Sequence, residues 1–244
     1  LALAPDGTLF VGTGGYANPL DRVYRIRDWN RDKKISEDEV EIFIEKLNNP
    51  NGVALRNGLL YVAEKTQILE FKDVLTKPKG QKLTKDQARV LPQTFPIQSG
   101  HGWKYIRFAP KPNDKWLYVP VGAPCNICEI KDPYAAIHRI DVTSEAPMET
   151  VARGVRNTVG FDFHPVTGNL WFTDNGRDLL GDDVPPDELN EVTKAKEHFG
   201  YPFCHGENIP DPEIRFNEVI KSCAYTTLPK MPLAAHAASL GMRF

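Results

Sequence analysis

A chain of 244 residues suffices for one large domain or two small ones, and its 41% of hydrophobic residues gives it a substantial core to bury. Its formal net charge of −2 makes no global electrostatic case for nucleic acid or a membrane surface. No apolar run reaches the length of a transmembrane helix.

In chain order, four segments repeat one pattern: "LALAPDGTLFVGT", "GVALRNGLLYVAE", "IRFAPKPNDKWLYVPVG" and "FDFHPVTGNLWFTDNG". Each is an apolar strand, a turn of Pro, Asp, Asn or Gly, and a second apolar strand. Aligned on Leu9, Leu60, Leu117 and Leu170, the copies lie 51, 57 and 53 residues apart. Short strands and hairpin turns at a period near fifty predict an all-β chain of β-propeller blades. "DRVYRIRD", "VEIFIEKL", "QILEFKDV" and "AIHRIDV" supply outer strands. A fifth copy is expected to begin at "HAASLGMRF". The chain starts at Leu1 in mid-pattern, without a signal peptide. The expectation is one propeller domain over 1–244, incomplete at its C-terminus, with one or two blades outside the chain.

Between the strands of the first blade stands "DWNRDKKISEDE", residues 28–39. Asp28, Asn30, Asp32 and Glu39 hold positions one, three, five and twelve of a calcium-binding EF-hand loop. The flanks "RVYRIR" and "VEIFIE" are strand-like, and Lys33 stands where the loop needs glycine. A helix–loop–helix switch is therefore not expected. An acidic hairpin turn is, and any ion there would be peripheral, held by Asp28, Asn30 and Asp32.

"GHGWKYIRF" places His101 between two glycines just before a strand, where backbone or ligand can approach closely. A His in that place is either a general base or a structural turn residue. Cys125 and Cys128 form C-x-x-C, whereas Cys204 and Cys223 are 19 apart, which does not complete a zinc set. Position 129 is Glu, not the His that a c-type haem needs. The cysteines are read as two disulfides of an exported protein, Cys125–Cys128 and Cys204–Cys223, against the alternative of free thiols. Arg156 and Asn157 occupy the place in the fourth repeat that His101 holds in the third, so equivalent loops aim all three at one face. An acidic stretch follows with Asp174, Asp178, Asp182, Asp183, Asp187 and Glu188. Hard oxygen ligands at this density suit Ca²⁺, or else form a solvated loop.

With these residues the chain resembles the soluble quinoprotein glucose/sorbosone dehydrogenase family, and most closely its sorbosone-dehydrogenase-like branch. The matching elements are "NPNGVALRNGLLYVAE", "GHGWKYIRFAP", "LYVPVGAPCNIC", "GVRNTVGFDFHPVTGNLWFTDNGRD", "GDDVPPDELN", "FGYPFCHGENIPDP" and "AHAASLGMRF", spread over nearly the whole chain. The resemblance implies a six-bladed propeller holding pyrroloquinoline quinone (PQQ) and Ca²⁺ in its channel. His101 matches the family's base, which takes a hydroxyl proton as hydride moves to the quinone. Arg156 and Asn157 match the Arg-Asn pair beside the quinone. Asn175, Gly176 and Arg177 match the segment whose backbone carbonyls hold the cofactor calcium. Asp187 and Glu188 match the neighbouring calcium region, and Asn51 is placed at the same channel. Two departures are visible: Arg177 stands where relatives often have Pro, and Gly100 precedes His101 where the glucose-oxidising branch has Asp.

The function this implies is PQQ- and calcium-dependent oxidation of a sugar or related alcohol or aldehyde. The electron acceptor would be a cytochrome or a quinone, and the location periplasmic or secreted. Two other classes stand beside it: a calcium-dependent hydrolase of the lactonase propeller type, and a non-catalytic propeller that binds a glycan or a protein.

Overall fold

A computed structural model describes residues 1–14, 21–97 and 100–244. The chain divides into two compact units. The first comprises Leu1–Phe95, Trp103–Phe108 and Val142–Glu145; the second comprises Pro96–Gly102, Ala109–Asp141 and Ala146–Phe244.

Two four-stranded antiparallel sheets form the body of the first unit. One contains Ala2–Leu3, Leu9–Gly12, Val23–Ile26 and Val40–Ile44 in sequential order. The other contains Gly52–Arg56, Leu59–Ala63, Ile68–Phe71 and Arg89–Val90. The hairpin between Arg56 and Leu59 has a two-residue turn, with Asn57 at φ 50° and Gly58 at φ 77°. Asn-Gly adopts that left-handed pair most readily, and its twist matches the strands it joins. Phe10, Val23, Phe43, Leu60, Val62 and Leu69 make one buried cluster. Arg25 is fully buried beside it, which is tolerable because every part of its head is engaged. Nη2 lies 2.6 Å from Glu41, Nη1 and Nη2 donate to the carbonyls of Lys77 and Pro78, and the guanidinium stacks 4.3 Å from the Phe43 ring centre.

Residues 28–39 are a turn between strands, as their flanks implied. Val23–Ile26 precedes it, and a single 3₁₀ turn, Glu37–Glu39, leads into Val40–Ile44. Asp28 accepts the amides of Asp32 and Lys33, and Glu39 those of Trp29 and Asn30. The acidic side chains thus close the loop on its own backbone.

In the second unit, Trp116–Val121, Ala136–Asp141 and Glu149–Arg153 pair antiparallel, and Glu197–His198 adds a parallel edge. A further sheet holds Phe161–Phe163, Leu170–Asp174, Pro186–Val192 and Met231–Ala235. The four predicted repeats therefore seed four blade sheets, and the chain has an all-β propeller fold. The segment where a fifth copy was expected to begin takes another form in this chain. Residues 236–244 form no strand. They lie along the fourth blade instead, where the Leu240 carbonyl accepts Thr173 Oγ1 at 2.7 Å and Phe244 meets Trp171 edge-on. Among the described residues, no helix is long and apolar enough to cross a membrane.

Candidate functional site

The candidate site is built in the second unit from loops that leave blade strands. Val121 ends a strand and is followed by Gly122 and Ala123. A side chain at Gly122 has no room: its Cβ would stand 2.5 Å from His101 Cβ. The absent side chain lets the His101 segment lie directly on this loop. Ala123 then links the two predicted partners. Its amide donates to the Arg156 carbonyl at 2.8 Å, and its carbonyl lies 2.7 Å from His101 Nδ1. A carbonyl only accepts, so Nδ1 carries the hydrogen and Nε2 carries the lone pair. Burial pushes the His101 pKa below 6.5, with the Ala123 bond opposing and the Arg156 charge reinforcing. At neutral pH the half-buried imidazole is thus an uncharged base.

Asp174, the last residue of its strand, organises the Arg156–Asn157 turn. Its carboxylate accepts the amides of Arg156 at 2.8 Å and Asn157 at 2.6 Å. Complete burial raises its pKa to about 7, with the two amide bonds pulling the other way. Arg156 is 5% exposed, and its Nε and both Nη atoms are engaged. Nε donates to Asn126 O at 3.0 Å, Nη2 to Asn126 Oδ1 at 2.9 Å, and Nη1 to Gly176 O at 2.8 Å and Asn175 O at 3.3 Å. Asn157 Nδ2 reaches Asn175 Oδ1 at 3.1 Å.

The acidic stretch splits by burial. Asp178, Asp182 and Asp183 are exposed, while Asp174, Asp187 and Glu188 are buried. Asp187 accepts the amides of Gly176 and Ser239, each at 2.9 Å. Glu188 accepts Asn190 Nδ2 at 2.9 Å and the Gly206 amide at 2.7 Å. Burial raises the Glu188 pKa to about 8, helped by the charge of Asp174. Asn190 Oδ1 is buried without a hydrogen-bond partner. A cavity of about 10 Å³, enough for one water-sized occupant, is lined by Arg156, Asp174, Asn175, Gly176, Glu188 and Tyr201 among others. No group of three or more His, Cys, Asp or Glu side chains poised for a metal occurs among the described residues.

The structure therefore brings together His101, Arg156, Asn157, Asn175, Gly176, Asp187 and Glu188. The expectation for Arg177 rested on its carbonyl alone, and the structure gives its side chain a place as well. Its side chain turns inward and is 2% exposed. Nη1 donates to Asp211 at 2.7 Å and Nη2 to Glu213 at 2.5 Å, and His205 Nε2 lies 2.9 Å from the same Asp211 carboxylate. Asn51 belongs to the first unit, where its amide closes a turn on Asn49 O. Both disulfides form as read, Cys125–Cys128 and Cys204–Cys223. Sequence reasoning missed Asn126, which holds one edge of the Arg156 guanidinium through two acceptors. Its one signal was its place inside the C-x-x-C ring.

These sheets and loops define a β-propeller protein that carries a neutral histidine, a clamped arginine and buried carboxylates on adjoining loops. Its backbone matches the calcium structure of a Trichoderma reesei enzyme of carbohydrate-active family AA12 with a TM-score of 0.75, at 17% identity over 99% of this chain and 74% of that one. The holo form of the pyranose dehydrogenase PQQ domain from Coprinopsis cinerea matches with a TM-score of 0.73, at 16% identity over 99% of this chain and 66% of that one. For the apo form of soluble aldose sugar dehydrogenase from Escherichia coli the TM-score is 0.64, at 15% identity over 98% of this chain and 73% of that one. An uncharacterized protein of Borreliella burgdorferi is 32% identical over 250 residues, and this chain spans 98% of its own length and 60% of that relative. No family model matches the chain.

Proposed function

We propose that this chain belongs to a PQQ- and calcium-dependent dehydrogenase that oxidises a sugar or related alcohol or aldehyde, akin to the sorbosone-dehydrogenase-like quinoproteins. One observation carries the proposal: Ala123 couples an uncharged His101, with its lone pair on Nε2, to an immobilised Arg156. The three propeller neighbours, a carbohydrate-active enzyme, a pyranose dehydrogenase PQQ domain and an aldose sugar dehydrogenase, support the same direction.

The residues fit both groups. A quinone bearing carboxylates suits the guanidinium of Arg156. A hard cation suits an all-oxygen set: the carbonyls of Gly176 and Arg177, the buried carboxylates Asp187 and Glu188 beside Asp174, and the partnerless Asn190 Oδ1. Gly176 O already accepts Arg156 Nη1, but a carbonyl has two lone pairs and serves both. When bound, the quinone supplies the two-electron acceptor and the calcium polarises it.

The chain's own groups do the rest. His101 Nε2 accepts the proton of the substrate hydroxyl, and the bond at Nδ1 holds the ring in the accepting tautomer. Arg156 supplies fixed positive charge where negative charge grows. Asn157 and Asn175, bonded to each other, orient the polar edge of the site. The electron acceptor would be a cytochrome or a membrane quinone. Two disulfides accord with a periplasmic or secreted location.

The test uses the full-length protein with PQQ and Ca²⁺. Sugar-dependent reduction of an artificial dye is expected, with a spectral change on PQQ binding. No binding, and no reduction with any aldose, aldehyde or polyol, would overturn the proposal.

A further inference from the structure

We propose that Asn126 is a positioning residue for Arg156, and that the Cys125–Cys128 disulfide exists to hold Asn126 in that role. The inference rests on the proposed function only in taking Arg156 as a residue of the site.

The loop between Val121 and Ala136 runs through residues 122–135 without a strand. Uninterrupted loops of this length are uncommon and usually functional or mobile. Here the loop is closed on itself by a disulfide spanning three positions, with Asn126 inside the ring. Asn126 presents both of its oxygens to one guanidinium. The backbone oxygen takes Arg156 Nε at 3.0 Å and the side-chain oxygen takes Nη2 at 2.9 Å. Two acceptors on the edge of a planar fork fix the plane as well as the place of the group.

The remaining valences of Asn126 reach the loop on the other side of Arg156. Nδ2 donates to Asp178 O at 3.0 Å, and Oδ1 accepts the Asp178 amide at 2.8 Å. Tyr201 Oη donates to Asn126 O at 3.3 Å and lies 3.4 Å from Cys125 Sγ, so the same tyrosine touches the residue and its cross-link. An extended backbone does not readily aim its own carbonyl and side-chain carbonyl at one ligand; a curled one does, and the disulfide keeps it curled. Asn126 is only partly buried, so its bonds compete with water, and a covalent restraint removes the freedom that would otherwise oppose them.

Asparagine is specific to this geometry. Aspartate keeps the acceptor for Nη2 but loses the donor to Asp178 O. Alanine loses all three side-chain hydrogen bonds, one to Arg156 and two to Asp178, and leaves the backbone acceptor for Nε. Removing both cysteines leaves Asn126 in place but frees the loop that aims it.

The experiment needs no cofactor. The full chain and its Asn126→Ala, Asn126→Asp and Cys125→Ala/Cys128→Ala variants are treated with phenylglyoxal, an arginine-selective reagent. Labelling is read at each arginine by peptide mass spectrometry, after circular dichroism confirms the fold. In the parent, Arg156 is protected and the exposed Arg215 reacts. Asn126→Ala and the double cysteine variant should each raise labelling of Arg156 about tenfold, the factor for one lost charge-assisted hydrogen bond. Asn126→Asp should fall between. Arg177, clamped by Asp211 and Glu213, should stay protected throughout. Unchanged Arg156 labelling in folded Asn126→Ala overturns the proposal. So does a rise at Arg177 equal to that at Arg156, because Asn126 would then be a general brace. With PQQ and Ca²⁺ present, Asn126→Ala should lower kcat with little change in KM, since a misplaced group costs up to about 10²-fold. Should the parent show no sugar oxidation while the labelling follows this pattern, the positioning role stands and the dehydrogenase proposal falls.

Discussion

His101 is the residue on which the proposed chemistry turns. Its Nδ1–H is committed to Ala123 O, so Nε2 carries the lone pair that the proposed chemistry would use. His101→Asn keeps a side chain of similar reach without the base. It should lower kcat by roughly 10²–10⁴-fold, with a small effect on KM, in the dye-reduction assay. The imidazolium cannot accept a proton, so activity is lost as pH falls through the His101 pKa. Burial has moved that value below 6.5, which places the acid limb of kcat/KM below pH 6.5. An acid limb at or above that point would contradict a buried neutral base. The carboxylates supply a second prediction. Calcium should raise the melting temperature of the parent, by the equivalent of about 2.7 kcal/mol at a hundred times its dissociation constant. Glu188→Gln keeps the size of the side chain but cannot give up a proton to become a carboxylate ligand, and should abolish that response in a thermal melt. A Glu188→Gln protein that still responds in full would remove Glu188 from the cation set. His101, Arg156 and Asn157 could be singled out in the sequence because glycines and equivalent repeat positions mark them. The sequence could not disclose the inward turn of Arg177, whose partners Asp211 and Glu213 lie more than thirty residues on, a contact made only by folding.

Among the elements, the hairpins were the most legible. Asn57-Gly58 dictates its two-residue turn through backbone preference alone, and the apolar runs on each side dictate the strands. The acidic turn at 28–39 was also decided locally, by β-branched flanks. The loop over 122–135 was opaque, because its form comes from a cross-link and from side-chain contacts to residues far along the chain. Segment 236–244, where a fifth copy was expected to begin, takes no strand form here for a related reason. Its composition suits a strand, but a strand needs a neighbour, and Met231–Ala235 already pairs with Pro186–Val192 as the fourth strand of that sheet. The junction between loop and site gives a sharp test at Gly122. Gly122→Ala would put a methyl 2.5 Å from His101 Cβ and 2.9 Å from His101 O. One side of that contact is backbone, so a rotamer change alone cannot relieve it. The expected cost is about 1–3 kcal/mol in urea unfolding, with loss of the His101–Ala123 bond and of activity. Gly168→Ala, at a φ of +72° with open space around it, should lower stability without touching activity. Equal losses of activity in the two variants would show that the close approach at Gly122 does not matter to the site.

At the scale of the whole molecule, the repeat spacing announced four sheets because each blade is a local, sequential meander, and local order is what a sequence reports best. The cross-links act at longer range and set the conditions under which the molecule holds together. In the chain-entropy account, closing the Cys204–Cys223 loop, a separation of 19, is worth about 3 kcal/mol, and the short Cys125–Cys128 loop about 2 kcal/mol. Net stabilities of folded proteins are only about 5–15 kcal/mol, so the pair is a large share of the total. The longer loop also carries Asp211 and Glu213, which neutralise the buried Arg177 guanidinium, and His205, whose Nε2 lies on the Asp211 carboxylate. Opening it therefore loosens the partners of a buried charge as well as restoring chain entropy. Cys204→Ala/Cys223→Ala should lower the urea midpoint by the equivalent of about 3 kcal/mol or more. It should also raise phenylglyoxal labelling at Arg177 while sparing Arg156, the mirror image of what is expected from the shorter cross-link. A reductant such as a phosphine should reproduce both effects together in the parent and add nothing to a variant lacking all four cysteines. A parent whose urea midpoint is unmoved by full reduction would show that the fold does not depend on an oxidising compartment, and the case for export would lose its physical basis.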